Sequence, residues 1–274
     1  MVFKHWKTNP RCFTKSPNTS TLNLPVVTAG TIRHSESNGP KRTSASFLRG
    51  MRATPISMLK PIIFWGATGQ AKVLAEFIET IGYQVVALFD NDPAIPPPLP
   101  GVPLHFGEEG FLAWRRQYTD ETVYGLVAIG GSRGSDRARL QAYLEDNGIE
   151  AITAVHPTAI VAANAKVGLA SQILAGAIIA AEAVLDQCCI VNTGASVDHE
   201  CRLGAGVHIG PGAVLSGCVT VGENSFIGAG AVVLPRLKIG SNVIIGAGSV
   251  VTKDIPDDCI AYGNPARIKG GLAA

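Results

Sequence analysis

A histidine followed by a glutamate stands out in the second half of the chain, where most residues are small or aliphatic. His199 and Glu200 lie in the segment VDHECR. An imidazole is suited to take a proton from a nucleophile near neutral pH, and an adjacent carboxylate fixes its tautomer and raises its basicity. Neighbouring residues on a strand face opposite ways, so a contact between these two side chains requires a turn. We interpret His199 as a candidate general base and Glu200 as its partner.

A repeat of six residues surrounds this pair. Every sixth position from Val155 to Val251 is Val, Ile or Leu, in seventeen consecutive repeats. Six residues on each of three sides predict a triangular parallel β-helix of about 18 residues per coil, with the aliphatic residues pointing inward. Each coil should stack on the next at roughly 4.8 Å.

The coil length predicts which residues lie near His199. Gly217 follows it by 18 residues and should lie almost directly over it on the next coil. Asn192 precedes His199 by seven residues and belongs to the previous face. His208 follows by nine residues, half a coil away, so it should reach His199 only across an interface between two copies of the chain. We therefore expect a closed cyclic oligomer with sites between subunits.

Strands and helices alternate in the segment before the repeat. The patterns run in the order strand 60–65, helix to residue 81, strand 85–90, a proline-rich stretch 93–103, strand 124–130, and a helical stretch within 131–148. Such alternation predicts a small parallel α/β sheet of Rossmann-like type. We divide the chain into a leader at 1–57, an α/β domain at 58–150 and a β-helix at 151–270.

A glycine-rich loop, Gly66-Ala67-Thr68-Gly69, joins the first strand to the first helix. Backbone N–H groups exposed at such a junction favour an anion. The glycine pattern for dinucleotide binding is incomplete, which disfavours an NAD(P)-dependent oxidoreductase. In open α/β sheets ligands lie beyond the carboxyl ends of strands, where Asp90, Asn91 and Gly130 would converge with the loop. A nucleotide sugar would fit there; a glycine-rich turn without a ligand is the alternative.

Composition and charge exclude other classes. The 274 residues include 31 glycines, with 46% hydrophobic and 16% charged residues, as in compact, turn-rich proteins. No stretch reaches the roughly 18–20 apolar residues that cross a bilayer. Residues 1–57 hold nine Lys or Arg and one acid, whereas 58–274 hold 14 basic and 20 acidic residues. The acidic body offers no basic face for nucleic acid, and the leader is expected to be disordered, either a targeting peptide or an over-extended start.

The six cysteines form no CxxC pair, and four of them lie inside the six-residue repeat. A disulfide framework and a cysteine-rich metal site are therefore disfavoured. A reducing compartment is the default for such a chain. We expect a soluble, cytoplasmic protein without a membrane segment.

From about residue 60 to 270 the chain resembles the sugar acyltransferases of the left-handed β-helix superfamily, and most of all the PglD/NeuD group of sugar O- and N-acetyltransferases. The matching motifs are IFWGATGQ, FDND, AIGGS, NTGASVDHECRLGAGVHIGPGA and AYGNPAR. The resemblance implies acetyl-CoA as donor, no metal, and a homotrimer with sites between subunits. It also implies, as acceptor, the amine of a UDP-linked 4-amino-4,6-dideoxy sugar in surface glycan biosynthesis.

The resemblance also implies roles for residues of the β-helix. It makes His199 the general base, Glu200 the residue that raises its basicity, and Asn192 a supporting polar residue. It implies that His208 contacts acetyl-CoA near the thioester. The Gly217 amide would stabilise the thioester oxygen as it becomes negative, which is an oxyanion-hole role.

Further implied positions line the two substrates. Ala229 and Ala247, one coil apart, would line the CoA groove, where small residues let the pantetheine arm approach the backbone. The implied sugar-nucleotide positions are Thr68, Gly69, Gln70, Asp90, Asn91 and Gly130. Two of these depart from the family pattern, which often has His at the position of Gln70 and a second acid at that of Asn91. The identity of the acceptor therefore stays open.

Other functions of a β-helix remain as alternatives. O-acetylation of sialic acid or another sugar hydroxyl would use the same base. A γ-type carbonic anhydrase needs histidines separated by whole coils, but His156, His199 and His208 are spaced by 43 and 9 residues. A trimeric nucleotide-sugar-binding scaffold would not need the His–Glu pair or the glycine stacked on it.

Overall fold

The structure is a computed structural model that describes residues 59–118 and 122–271. Our predictions for the leader at 1–57 fall outside these residues. Within the described ranges, no helix combines the length and the apolar character needed to span a membrane.

A five-stranded parallel sheet with helices forms the first half of the structure. Its strands, in the order β3-β2-β1-β4-β5, are β1 Lys60–Trp65, β2 Tyr83–Asp90, β3 Leu104–Phe106, β4 Val123–Val127 and β5 Ile149–Ala151. The helices are α1 Gly69–Phe77, a 3₁₀-helix Ile78–Ile81, α2 Gly107–Arg115 and α3 Gly134–Asp146. All pairings in the sheet are parallel, which confirms the predicted α/β fold of this half.

Glycines set two of the turns in this domain. Gly82 ends the 3₁₀-helix in the left-handed region, at a φ of 93°, as its place after the helical pattern predicts. Gly66 follows β1 at a φ of 109°, and a Cβ at this position would lie 2.4 Å from the carbonyl oxygen of Ala128. Only glycine therefore lets the loop after β1 cross so close to the end of β4.

The second half is a three-sided parallel β-helix of two-residue strands. These are β6 Ala154–Val155, β7 Ile160–Val161, β8 Lys166–Val167, β9 Gln172–Ile173, β10 Ile178–Ile179, β11 Val184–Leu185, β12 Ile190–Val191, β13 Ser196–Val197, β14 Arg202–Leu203, β15 His208–Ile209, β16 Val214–Leu215, β17 Thr220–Val221, β18 Phe226–Ile227, β19 Val232–Val233, β20 Lys238–Ile239, β21 Ile244–Ile245 and β22 Val250–Val251. An antiparallel pair, β23 Cys259–Gly263 and β24 Ala266–Gly271, follows the last coil.

The strands form three sheets, which we call face 1 (β6, β9, β12, β15, β18, β21, with β23 and β24), face 2 (β7, β10, β13, β16, β19, β22) and face 3 (β8, β11, β14, β17, β20). Paired residues are 18 positions apart, as for Ile178 with Ser196 and Ile190 with His208. From Ile173 onward the inward aliphatic residues are buried, as for Val191 and Ile209, and those of the first coil are partly buried. The predicted coil of 18 residues is therefore confirmed.

The α/β domain packs on face 1 of the β-helix. One apolar cluster contains residues of both halves, among them Ile62 and Leu74 from the first and Leu174 and Ile190 from the second. Arg137 of α3 is 1% exposed and reaches into the junction. Its guanidinium donates to three carbonyl oxygens, at 2.8 Å to Cys188, 2.6 Å to Gly206 and 2.8 Å to Ile129. This arginine therefore ties α3 and the loop after β4 to the β-helix.

Candidate active site

His199 and Glu200 occupy a corner of the β-helix directly after strand β13 of face 2. Glu200 has a φ of 58°, and its N–H donates to the carbonyl of Ala181 on the previous coil at 2.9 Å. The left-handed turn brings the two neighbouring side chains together, with His199 Nδ1 at 3.1 Å from Glu200 Oε2. Both side chains are about half exposed, at 52% and 55%. The contact between these neighbouring side chains therefore depends on a turn, as predicted from the sequence.

Gly217 lies against the other edge of the His199 ring. A Cβ at position 217 would be 2.3 Å from His199 Nε2 and 2.5 Å from Cε1. The next residue, Cys218, donates its N–H to the His199 carbonyl at 2.8 Å. The 18-residue spacing thus places Gly217 on the ring, and only a residue without a side chain fits this position.

The Glu200 carboxylate has a pKa below its ordinary value. The main cause is the hydrogen bond with His199, followed by the one from the Cys218 thiol, whose Sγ lies 3.4 Å from Oε2. An ionised carboxylate accepts the Nδ1 hydrogen, so the neutral ring carries its free lone pair on Nε2. The nitrogen that can take a proton is therefore the one beside Gly217.

A cleft of about 950 Å³ lies between the α/β domain and face 1. This volume is at the upper end of the range typical for small-molecule sites. All six predicted sugar-nucleotide positions line it: Thr68, Gly69, Gln70, Asp90, Asn91 and Gly130. The structure thus gathers residues from the carboxyl ends of β1, β2 and β4 at one edge of the sheet, as expected for such folds.

Asp90 holds the glycine-rich loop at the mouth of this cleft. Its Oδ2 accepts the N–H of Ala67 at 2.8 Å, and its Oδ1 accepts the N–H of Asp92 at 3.1 Å. Helix α1 begins directly after the loop, at Gly69, and Thr68 makes no side-chain hydrogen bond to its first turn. The first N–H groups of a helix favour an anion, so the loop can receive a phosphate group.

Gln70 reaches the floor of the cleft through a chain of amides. Its Nε2 donates to Gln172 Oε1 at 2.8 Å, and Gln172, which is fully buried, donates to the Val127 carbonyl at 2.9 Å. A Cβ at Gly130 would lie 3.7 Å from Gln70 Oε1. The amide oxygen of Gln70 thus faces Gly130, which lies in the loop after β4. This strand ends at Val127, three residues before the end of the predicted strand.

His208 lies beside the same loop, and it is 4% exposed. Its Nδ1 is 2.8 Å from the N–H nitrogen of Gly131, and its Nε2 is 3.2 Å from Nδ2 of Asn192. Burial lowers the pKa of His208 to about 4, and the positive charge of Arg137 acts in the same direction. The ring is therefore neutral at neutral pH. The structure places His208 in the lining of the cleft and Asn192 against the His208 ring. Contact of His208 with acetyl-CoA stays a prediction.

The two predicted CoA-groove residues lie at a different corner from His199. Ala229 and Ala247 are both exposed and follow strands of face 1. They lie on consecutive coils, where the N–H of Gly248 donates to the Ala229 carbonyl at 2.8 Å. Within one chain, the corner with His199 and the corner with Ala229 and Ala247 are therefore two different corners of the β-helix, and neither His199 nor these alanines line the cleft.

Two arginines of the cleft escaped the sequence analysis. Arg133 and Arg139 line it, and both contact Asp136, with Arg139 Nη2 at 3.0 Å from Oδ1. Burial acts to raise the pKa of Asp136, but hydrogen bonds and charges from both arginines bring it below its ordinary value. The signal was the basic run GSRGSDRAR, which begins in the loop after β4, continues into α3 and places two cations at the cleft.

Comparisons with known proteins agree with this geometry. The family model described as bacterial transferase hexapeptide (six repeats) matches residues 218–253. No curated protein sequence matches significantly. Among solved structures, WeeI from Acinetobacter baumannii AYE shares the fold, with 24% identity, a TM-score of 0.68, and coverage of 77% of this chain and 100% of that one.

Two solved structures have higher identity. PerB from Caulobacter crescentus, solved with CoA and GDP-perosamine, is 38% identical, with a TM-score of 0.69 and coverage of 77% of this chain and 97% of that one. The acetyltransferase domain of PglB from Neisseria gonorrhoeae FA1090, solved with acetyl coenzyme A, is 33% identical, with a TM-score of 0.68 and coverage of 77% and 100%. The predicted left-handed β-helix and the acetyl-CoA co-substrate are confirmed. The chain belongs to the hexapeptide-repeat sugar acetyltransferases, as its resemblance to the PglD/NeuD group implies.

Proposed function

We propose that the chain transfers an acetyl group from acetyl-CoA to the amine of a nucleotide-linked 4-amino-4,6-dideoxy sugar. The observation that carries this proposal is the contact of His199 Nδ1 with Glu200 at 3.1 Å. It leaves Nε2 with the lone pair that takes a proton. The cleft lined by all six predicted sugar-nucleotide residues supports a nucleotide-linked acceptor.

The proposed reaction is a direct transfer within a ternary complex. The sugar amine attacks the thioester carbonyl as His199 Nε2 removes an amine proton. The Gly217 amide stabilises the oxyanion of the tetrahedral intermediate. The C–S bond then breaks, CoA leaves, and the proton held by His199 passes to the departing sulfur.

The nucleoside of the acceptor has two candidates. The resemblance to the PglD/NeuD group implies a UDP-linked sugar, whereas PerB, at 38% identity, was solved with GDP-perosamine. Gln70 and Asn91 both line the cleft and both differ from the pattern implied by the PglD/NeuD resemblance. We therefore propose a nucleoside diphosphate sugar as the class of acceptor. The assay decides whether its nucleobase is uracil or guanine.

We propose that the active enzyme is a homotrimer. Face 2 carries outward aliphatic residues on several of its coils, where Ile160, Ile178 and Val214 are 63%, 40% and 37% exposed. Ser196 occupies this position on the coil between Ile178 and Val214. A ladder of exposed aliphatic side chains marks an interaction surface. Among the described residues, those that line the cleft do not include His199. A neighbouring copy is therefore needed to bring a His199 corner to the bound sugar.

The test is an acetyl-transfer assay with four acceptors: a UDP-4-amino-4,6-dideoxy sugar, GDP-perosamine, CMP-sialic acid and free sialic acid. Release of the CoA thiol and the mass of the product are measured together. We expect N-acetylation of one of the first two. O-acetylation of a sialic acid would contradict the proposed amine acceptor. No turnover with any acceptor would favour the alternative that the chain is a nucleotide-sugar-binding scaffold without catalytic activity.

A matched pair of variants tests the base. His199→Ala should lower turnover by about 10²–10⁴-fold, the usual contribution of a general base, while CoA still binds. His156→Ala is the control, because His156 lies on the first coil beside Glu76, at 3.3 Å, away from the site. Full turnover by His199→Ala would show that the mechanism is wrong.

A further inference from the structure

A thiol stands beside the His–Glu pair and takes no part in the proposed transfer. Glu200, Cys218 and Arg236 follow one another at intervals of 18 residues along one corner of the β-helix. Cys218 Sγ lies 3.4 Å from Glu200 Oε2, and the same oxygen lies 3.1 Å from His199 Nδ1. The three ligand-type atoms all lie within 4.8 Å of one another. One imidazole, one carboxylate and one thiol thus converge at a partly exposed corner.

The spacing of these atoms matches a tetrahedral zinc ion. Zinc bonds of about 2.3 Å to sulfur and about 2.0–2.2 Å to nitrogen and oxygen place N and O ligands about 3.3 Å apart, and S and O ligands about 3.5 Å apart. The observed separations are 3.1 Å and 3.4 Å. The two separations from Glu200 Oε2 therefore match those around zinc, and the third, from His199 Nδ1 to Cys218 Sγ, is within 4.8 Å.

Charges at the corner favour a dication. Glu200 is ionised, and Asp198 lies within electrostatic range of the Cys218 sulfur. Arg236 opposes a cation, since its Nη1 lies 4.0 Å from the same sulfur. A bound zinc ion displaces the thiol proton, so two carboxylates and a thiolate outweigh the single guanidinium.

We propose that Zn²⁺ binds reversibly between His199, Glu200 and Cys218 and switches off acetyl transfer. Zinc takes the lone pair of Nδ1, so the hydrogen of the neutral ring moves to Nε2. The nitrogen beside Gly217 then has no lone pair with which to accept a proton from the acceptor. Because Glu200 Oε2 then binds zinc, it no longer accepts a hydrogen bond from His199 Nδ1. The inhibition rests on the proposed role of His199 as base, whereas the binding does not.

Binding is tested on the full chain, freed of metal, with Zn²⁺ competed against a colorimetric chelator and with Co²⁺ as a spectroscopic substitute. We expect one Zn²⁺ per chain and a thiolate-to-cobalt charge-transfer band. Cys218→Ala should remove the band and weaken zinc binding by at least about 10–100-fold, since even outer contacts of a metal site are worth that much. Cys259→Ala is the matched control, because Cys259 is also partly exposed but lies on β23, outside the cluster. Equal zinc affinity in Cys218→Ala and the unaltered chain would overturn the site.

Inhibition is tested by mass detection of the acetylated sugar in zinc-buffered solutions, because zinc also binds the CoA thiol. The unaltered chain should lose turnover over the same zinc range in which the metal binds, and a chelator should restore it. Cys218→Ala is compared with its own turnover without zinc, and that turnover should stay constant over the same zinc range. Zinc bound through Cys218 without loss of turnover would overturn the switch. If no acceptor is acetylated at all, the proposed function fails while the cobalt band still decides the metal site.

Discussion

Replacement of Gly217 by alanine tests whether this glycine makes room for the ring of His199, the proposed base. The new Cβ would lie 2.3 Å from His199 Nε2, whereas ordinary contacts begin at 3.4 Å. The φ of Gly217 is not in the left-handed region, so alanine does not strain the backbone there. The ring of His199 must therefore move while the coil keeps its shape.

The size of the effect follows from that overlap. Restoring an ordinary contact displaces the ring by about 1 Å, and a misplacement of that size can cost about 10²-fold in rate. A loss of about 10²-fold corresponds to about 2.7 kcal/mol of activation free energy. We expect this loss in kcat with the chosen acceptor, with little change in the affinity for CoA.

A double-mutant cycle identifies the cause. If alanine at 217 acts by displacing the His199 ring, adding Gly217→Ala to His199→Ala should lower kcat little further. Gly270→Ala is the control, since a Cβ there meets nothing within 4 Å. The reasoning is refuted if the loss in kcat of the double variant equals the product of the two single losses. Full activity of Gly217→Ala would refute it as well.

Three further variants test the domain junction, the cleft and the oligomer. Arg137→Met should lower the free energy of unfolding by about 3 kcal/mol in urea, because three carbonyl oxygens lose a charged donor. His208→Gln should flatten the pH dependence of stability. The pKa of His208 is lowered from 6.5 to about 4 in the folded chain, so the unfolded chain binds the proton at a higher pH. The free energy of unfolding should therefore fall by about 3 kcal/mol as the pH falls from about 6.5 to about 4. Ile178→Lys should reduce the sedimenting mass, because it puts a charge into the apolar ladder of face 2.

Each of these variants has a matched control. Arg202→Met changes an exposed arginine of β14 and should leave unfolding unchanged, and an equal loss in both variants would contradict the role of Arg137. His156→Gln should keep the steep acid loss of the unaltered chain; the same slope in His208→Gln would show that His208 does not cause it. Thr220→Lys adds a charge to exposed face 3, and dissociation by this variant alone would place the interface there.

Several elements of the α/β domain could not be predicted, for physical reasons. Strands β3 and β5 have three residues each, too few for an alternating pattern to show. Helix α2 begins at Gly107 and buries only Phe111 and Trp114 in its nine residues, so its apolar face leaves little periodic signal. These elements form because neighbouring strands and the core around Trp65 supply contacts that lie far away in the sequence.

The sequence by itself determined the β-helix and the contact of Gly217 with His199 at its corner. Each coil repeats one local rule, an inward aliphatic residue every six positions, so a separation of 18 residues becomes a spatial contact. Gly217 meets His199 for that reason alone. Only the tertiary structure decided the place of His208. The same repeat puts it on face 1, but the docked α/β domain, held by Arg137 and a shared apolar cluster, buries it and turns its surroundings into the floor of the cleft. No local pattern encodes that docking, because the groups that make it come from segments far apart in the chain.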